Sequence, residues 1–276
     1  MPLTSPSLWV VATPLGNPGD LSPRACEVLQ AADIVLAEDT RRAGILFKQT
    51  GVAVRKLASF HDHNEEAKAR SFVDAMKEGT VLALVSDAGM PLFSDPGYRL
   101  VRLARQEGLS VSVVPGPSAP LTALAASGIA PQPFTFLGFP PRKRNDQERF
   151  FAEFRTVRTT LVFFERKNRL AETLAAAHAV LGPRELCVAR ELTKTHEEFI
   201  LTRLENHADV PQDLLGEITV VIGPPEQVER PGEEDVLTLV EEESASGGKP
   251  RDIARRVRER APGWSVDEIY GLMRRG

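Results

Sequence analysis

The chain is poor in cysteine, with two among its 276 residues. Cys26 and Cys187 lie far apart in apolar surroundings, which excludes a disulfide framework and a cysteine metal site and fits buried thiols in a reducing compartment. Also missing is any apolar run near the ~20 residues that a bilayer-spanning helix needs. The N-terminus, MPLTSPSLWVVAT, carries no basic leader, so a cytoplasmic protein is expected. Positive charge is not in excess. A formal net charge of −4 argues against wholesale nonspecific coating of nucleic acid, while leaving room for a local basic face. No segment repeats at a fixed period. What is present is the composition of an ordinary globular protein, 42% hydrophobic and 26% charged. The length suits two modest domains, or two and a tail.

Short apolar runs alternate with helical patterns: LWVVAT (8–13), DIVLAE (33–38), VLALVS (81–86) and SVSVVP (110–115). Ser22-Pro23 reads as an N-cap followed by a first-turn proline, and Asn64 as the cap of EEAKARSFVDAMKE. Alternating β and α implies a mainly parallel sheet covered by helices, here over residues 1–130. A second set, FTFLGF (134–139), TTLVFFE (159–165), ELCVARE (185–191), EEFILT (197–202) and GEITVVIG (216–223), fills residues 131–225. Helices are expected there at 145–157 and 167–181. The adjacent runs ELCVARE and EEFILT suggest antiparallel pairing, hence a mixed sheet. Residues 226–243 then hold eight acidic side chains and one arginine, and 226–248 reads as an acidic linker. The tail, 249–276, has eight basic and four acidic residues in two short helices, with Ser265 and Glu268 as a capping box. It is either an amphipathic pair docked on the body or a small basic module that touches RNA.

The strand-end loops carry the chemistry. VSDAGMPLFSDPG (85–97) holds Asp87 and Asp95, two prolines and two glycines, but no lysine or arginine. A phosphate loop needs a row of free backbone N–H groups and usually a lysine. Prolines delete donors and aspartates repel an anion. TPLGNPGD (13–20) and PGPSAP (115–120) meet the same objection, and GxGxxG is absent at the first βα turn. A rigid pocket with an acidic lining suits an organic ligand that bears positive charge, as S-adenosylmethionine does. The alternative is that the prolines only turn the chain and the aspartates only cap helices, which for Asp95 before Pro96 stays open.

The segments LWVVATPLGNPGDLSPRACEVLQAADIVLAEDTR, SFHDHNEE, VSDAGMPLFSDPGYRLV, VPGPSAPLTAL, GFPPRKR and ARELTKTHEE closely resemble the ribosomal RNA small subunit methyltransferase I family, within the tetrapyrrole methylase superfamily. The resemblance covers about residues 8–223, and the basic tail resembles that family's helix-turn-helix-like extension. It implies two α/β/α domains with a cofactor cleft between them, a homodimer, and methyl transfer from S-adenosylmethionine to the ribose 2′-hydroxyl of a cytidine in the decoding region of the small-subunit (16S) ribosomal RNA. It also implies cofactor contacts at Pro14, Gly89, Met90, Pro91, Leu92, Phe93, Ser118, Ala119, Phe164 and Leu192. The chain departs from the tetrapyrrole relatives in having TPLGN instead of a glycine-rich first loop, and Gly89-Met90-Pro91 instead of GDP. Both departures point toward an RNA substrate. A small-molecule methyltransferase of the tetrapyrrole type and a noncatalytic ribosome-assembly protein are the alternatives.

For removal of the hydroxyl proton the candidates are Asp39, His61, Asp87 and Asp95. Candidates for contact with RNA are Arg41, Arg42, His63, Arg142, Lys143, Arg144, Arg166, Lys167 and Lys194. Lys194 has the alternative of pairing with Glu191. His61 and His63, two apart on an extended segment, would face the same way. They lack a third ligand, so no metal is expected.

Overall fold

Each apolar run of the N-terminal half becomes a strand. The computed structural model describes residues 6–226, 231–261 and 263–275, the side chains of 62–64 excepted. Strands β1 (Leu8–Val11), β2 (Ile34–Ala37), β3 (Leu57–Ser59), β4 (Leu82–Val85) and β5 (Val111–Val114) form a sheet in the order β3-β2-β4-β1-β5. Every pairing in it is parallel. Helices on both faces bury such strands on two sides, which is why β4 reads LALV without alternation. Strand β3 was not foreseen, because three residues after a polar stretch carry no periodicity.

Helices α1 (Pro23–Ala31) and α2 (Thr40–Thr50) cover one face, with Leu29 and Phe47 packed on Val11, Val35 and Val85. Helices α3 (Asp62–Lys77) and α4 (Tyr98–Gln106) cover the other, with Val73, Met76 and Leu100 on Leu8, Leu36 and Leu84. The chain therefore leaves β1 and β2 toward one face and β4 toward the opposite one. A crevice opens at the carboxyl end of β4 on each side, the place where open α/β sheets bind ligands. Ser22 caps α1, accepting from Ala25 N at 3.1 Å. Helix α3 starts at Asp62, so Asn64 lies within it and is not its cap.

The second half is a mixed sheet in the order β6-β7-β10-β8-β9, from β6 (Phe134–Phe136), β7 (Thr160–Arg166), β8 (Glu185–Arg190), β9 (Glu198–Arg203) and β10 (Glu217–Ile222). Only β6 and β7 run parallel; β8 and β9 form the expected antiparallel pair. Alternation along β7 sends Leu161 and Phe163 to one face, under α6 (Arg144–Ala152) and α7 (Leu170–Leu181). Val162 faces the other side, where Ala123 and Leu124 of α5 (Ala119–Ala126) pack together with Leu15. Helix α5 starts just after β5, so it fastens the second sheet to the first. Both expected helices are shorter than the sequence suggested. The fully buried Arg184 takes the carbonyls of Phe154 and Arg155 that a longer α6 would have used. Strand β7 runs on to Arg166, and α7 begins at Leu170.

A separate compact unit begins after Pro225. The stretch expected as an acidic linker contains α8 (Glu233–Ala245), and the tail is accordingly a three-helix unit and not a pair. Val236 and Val240 of α8 pack with Ile253 and Val257 of α9 (Pro250–Arg260), with Trp264, and with Ile269 and Leu272 of α10 (Val266–Met273). Two short helices could not have buried their apolar faces alone. Ser265 and Glu268 form the expected capping box. Among the described residues no helix is long and apolar enough to cross a membrane.

Candidate functional site

The loops after β1, β4 and β5 face the β7–β10 surface across a cleft of about 750 Å³. Asp87, Gly89, Met90, Phe93, Ser118 and Ala119 form one wall, and Phe164, Glu165, Arg166, Lys167 and Thr219 the other. The size is that of a small-molecule site. Of the residues singled out as cofactor contacts, the structure brings Gly89, Met90, Phe93, Ser118, Ala119 and Phe164 together there. Pro14, Pro91 and Leu192 are buried behind the wall, and Leu92 packs into the core under α3 and α4. They shape the loops without facing the space.

Those loops are held rigidly. Thr13 and Gly89 exchange backbone hydrogen bonds of 2.9 and 3.0 Å, which tie the turn after β1 to the turn after β4. Leu92 and Ser94 adopt left-handed backbone conformations, at φ 76° and 70°, which side-chain-bearing residues seldom hold. The other non-glycine residues in that region, among those described, are Glu191 and Thr193, and Glu191 N donates to Glu217 O in the cleft wall at 3.0 Å. Strain of this kind collects where surrounding structure over-determines the backbone. Gly97 ends the loop at φ 128°, and a Cβ there would overlap the Leu84 side chain. The carboxylate that caps α4 is Glu65, accepting from Gly97 N at 3.1 Å and Arg99 N at 2.9 Å, so that task does not fall to Asp95. Asp95 instead lines the cleft.

Asp87 is where two spaces meet. Besides the apolar cleft it lines a polar recess on the other side of β4, with Asp39, Arg41, Arg42, Ser59 and His61. Its carboxylate accepts from Asp39 N at 3.0 Å and pairs with Arg42 Nη1 at 3.2 Å. Asp39 is differently placed. Arg41 Nε and Nη2 donate to its two oxygens, at 3.1 and 2.7 Å, while Arg41 N caps α2 on it at 2.8 Å. The Arg41 side chain, and then its backbone N–H, hold the Asp39 carboxyl far below the usual carboxylate range. Asp39 is a helix cap with its lone pairs taken, a weak proton acceptor. His61 lies in the recess. His63 falls in the first turn of α3, so the two histidines do not share an extended segment, and the His63 side chain lies outside the described residues.

The basic candidates divide into three groups. Arg166 and Lys167 line the cleft, Arg41 and Arg42 the recess, and Arg142, Lys143 and Arg144 an exposed turn leading into α6. Arg144 also pairs with Glu148 at 3.1 Å. Lys194 is engaged structurally, bonded to Glu191 at 2.9 Å and Glu217 at 3.0 Å. Burial alone would lower its pKa, yet the two carboxylates raise it. Among the described residues no three His, Cys, Asp or Glu side chains gather as a metal site.

Sequence reasoning missed Glu165, Thr219 and Phe139. Glu165 sits at the end of an apolar run, and its partner Arg169 four residues on was the available signal. Thr219 comes to the cleft only through its register opposite Phe164, which no local pattern announces.

The family model described as Tetrapyrrole (Corrin/Porphyrin) Methylases matches residues 7–208. The "Ribosomal RNA small subunit methyltransferase I" of Micromonospora olivasterospora is 42% identical over 259 residues, covering 92% of this chain and 82% of the relative. Its namesake from Mesorhizobium japonicum is 42% identical over 274 residues, covering 92% of both. A uroporphyrin-III C-methyltransferase from Thermus thermophilus, solved with S-adenosylhomocysteine, shares the fold at TM-score 0.54 and 20% identity, over 78% of this chain and 96% of that one.

Proposed function

Because the chain belongs to the ribosomal RNA small subunit methyltransferase I family, a branch of the tetrapyrrole (corrin/porphyrin) methylases, we propose that it transfers a methyl group from S-adenosylmethionine to small-subunit ribosomal RNA, at the ribose 2′-hydroxyl of a cytidine in the decoding region. The observation that carries this reading is the position of Asp87, shared between an apolar cleft and a polar recess with two arginines. One space suits the donor and the other a sugar-phosphate. The cytidine and its location rest on the sequence resemblance.

The donor fits the cleft by chemistry. Asp87 and Asp95 line the loop side together with Pro120, no glycine-rich phosphate cradle is present, and Met90, Phe93 and Phe164 offer apolar surface to a nucleoside. Gly89, Met90, Phe93, Ser118, Ala119 and Phe164 would hold it, with Pro14, Pro91, Leu92 and Leu192 supporting them from behind. When bound, it supplies a methyl carbon made electrophilic by the sulfonium charge. The chain's own work is alignment and proton removal. Asp87 would accept the hydrogen of the acceptor hydroxyl and take up its proton as the oxygen–carbon bond forms and the carbon–sulfur bond breaks, the thioether leaving. Arg42 keeps Asp87 in place, while His61 and Asp95 flank it from the recess and the cleft. Arg41, Arg42, Arg142, Lys143, Arg144, Arg166 and Lys167 face the RNA backbone, and His63 is a further candidate for that contact on the sequence alone. Lys194 serves by bracing Glu191 and the cleft-lining Glu217. The reading includes a second copy of the chain as partner and work in the cytoplasm; sedimentation of the purified protein tests the first.

The experiment is transfer of labelled methyl from S-adenosylmethionine to small ribosomal subunits that lack the modification. Label on a ribose, which blocks alkaline cleavage at that nucleotide, is the expected result. Label on a base, or none on RNA, rejects the proposal.

A further inference from the structure

A phenylalanine ring is ordinarily buried, yet Phe139 is 48% exposed in the cleft wall. It is the outer member of a row of rings. Its centroid lies 5.4 Å from that of Phe164, which in turn lies 5.0 Å from Phe136. The backbone on both sides of Phe139 is fixed. Before it, Phe164 N donates to Gly138 O at 2.8 Å, and Gly138 takes φ 66°, a left-handed conformation that glycine holds without strain. After it, Arg169 Nη2 donates to the carbonyls of Pro140 and Pro141 at 2.8 and 2.7 Å, and Gln147 Nε2 to Pro141 O at 3.0 Å.

Arg169 is itself anchored. Glu165, its side chain fully buried, pairs with it at 3.2 Å and accepts from Thr173 Oγ1 at 2.6 Å. Taking two charges out of water is costly, and only close pairing with further hydrogen bonds offsets it. Here that arrangement holds a surface turn whose first side chain is a solvent-facing ring. Three and four residues beyond the ring stand Arg142 and Lys143, both exposed, and across the wall Arg166 and Lys167. An aromatic face fixed in place beside flexible cations matches the chemistry of an unpaired nucleotide, whose base stacks while its phosphates meet positive charge.

We propose that Phe139 is a stacking platform for an unpaired base of the RNA substrate, preset by the buried Glu165–Arg169 pair. The inference rests on the RNA-methylation reading above. Phe93, at the other end of the cleft's aromatic surface, stays with the donor.

The test uses the full chain carrying Phe139→Ala, Phe139→Tyr or Phe93→Ala. Three quantities are read: KM and kcat on small subunits lacking the modification, affinity for a short single-stranded oligoribonucleotide at several salt concentrations, and calorimetric affinity for S-adenosylmethionine. Phe139→Ala should weaken RNA affinity and raise KM for the subunit by roughly 5- to 100-fold, with donor affinity held within twofold and the salt slope unchanged. Phe139→Tyr keeps the ring face and should restore most of the loss. Phe93→Ala should act on donor affinity instead. Loss of donor affinity in Phe139→Ala with an unchanged subunit KM would place the ring in the donor's site and overturn the proposal, as would a variant indistinguishable from the parent. If the parent chain labels RNA and Phe139→Ala matches it, only the platform falls. If the parent labels no RNA, the functional reading falls and the platform with it.

Discussion

The two walls of the cleft are built on different principles. One is made of loops at the carboxyl ends of parallel strands, stiffened by prolines, by left-handed residues at 92 and 94, and by the Thr13–Gly89 bridge. The other is a sheet face, β7 beside β10, whose rim is stiffened by a buried ion pair. The loop wall is acidic toward the space it encloses, while the sheet wall brings Arg166 and Lys167. On the proposed reading the donor lies between the two walls, held by Met90 and Phe93 on one side and Phe164 on the other, and Asp87 stands between that cleft and the recess with Arg41 and Arg42.

Substitutions on the two walls should break the protein in different ways. The largest effect is expected at Asp87. Asp87→Ala should lower kcat by about 10²–10⁴-fold, the usual share of a proton-accepting group, with the chain still folded by circular dichroism. A variant with kcat near the parent's would remove Asp87 from the reaction. On the sheet wall the expected damage is to stability. Glu165→Ala leaves Arg169 mostly buried without its carboxylate, and urea unfolding should show a loss of about 3–5 kcal/mol. A loss under about 1 kcal/mol would mean that the pair does not hold that wall.

A smaller effect separates electrostatics from chemistry. Arg142→Ala should weaken RNA affinity and reduce its salt slope by about one unit, leaving S-adenosylmethionine affinity as it was. An unchanged slope would take Arg142 off the RNA path. The smallest effect concerns pH in the recess beside the loop wall. Arg41 lowers the Asp39 pKa in the folded chain, so the ionised carboxylate favours folding. That contribution is complete above the unfolded value of about 3.9 and disappears as pH falls through the lower folded value. The melting temperatures of the parent and Asp39→Asn should differ at pH 7 and converge in strong acid; a gap that persists there would assign the difference to something other than ionisation.

Legibility followed the same division. The loop wall is local in sequence: Gly89, Met90, Ser118 and Ala119 lie in turns whose proline and glycine content marks them, and the apolar runs before them mark the strands. The expectation of an acidic site without a phosphate loop came from those turns alone. The sheet wall depends on register and on contacts between segments far apart in the chain. Phe164 and the cations 166 and 167 were singled out, but Glu165 hides at the end of an apolar strand, and Phe139 reads as one more strand residue. Asp39 was visible as a charge, while its role as the α2 cap required the helix to be in place. The supposed linker at 226–248 misled because its acidic residues dominate the composition, while Val236 and Val240, four apart, give the apolar face that packs on α9 and α10.

The most direct measurement is calorimetric titration of the intact chain with S-adenosylmethionine, repeated in the presence of excess ATP. One donor molecule should bind per chain, ATP should leave that isotherm unchanged, and Phe164→Ala should weaken it. An isotherm abolished by ATP, or no binding of the sulfonium compound at all, would contradict a cleft built for a positively charged methyl donor.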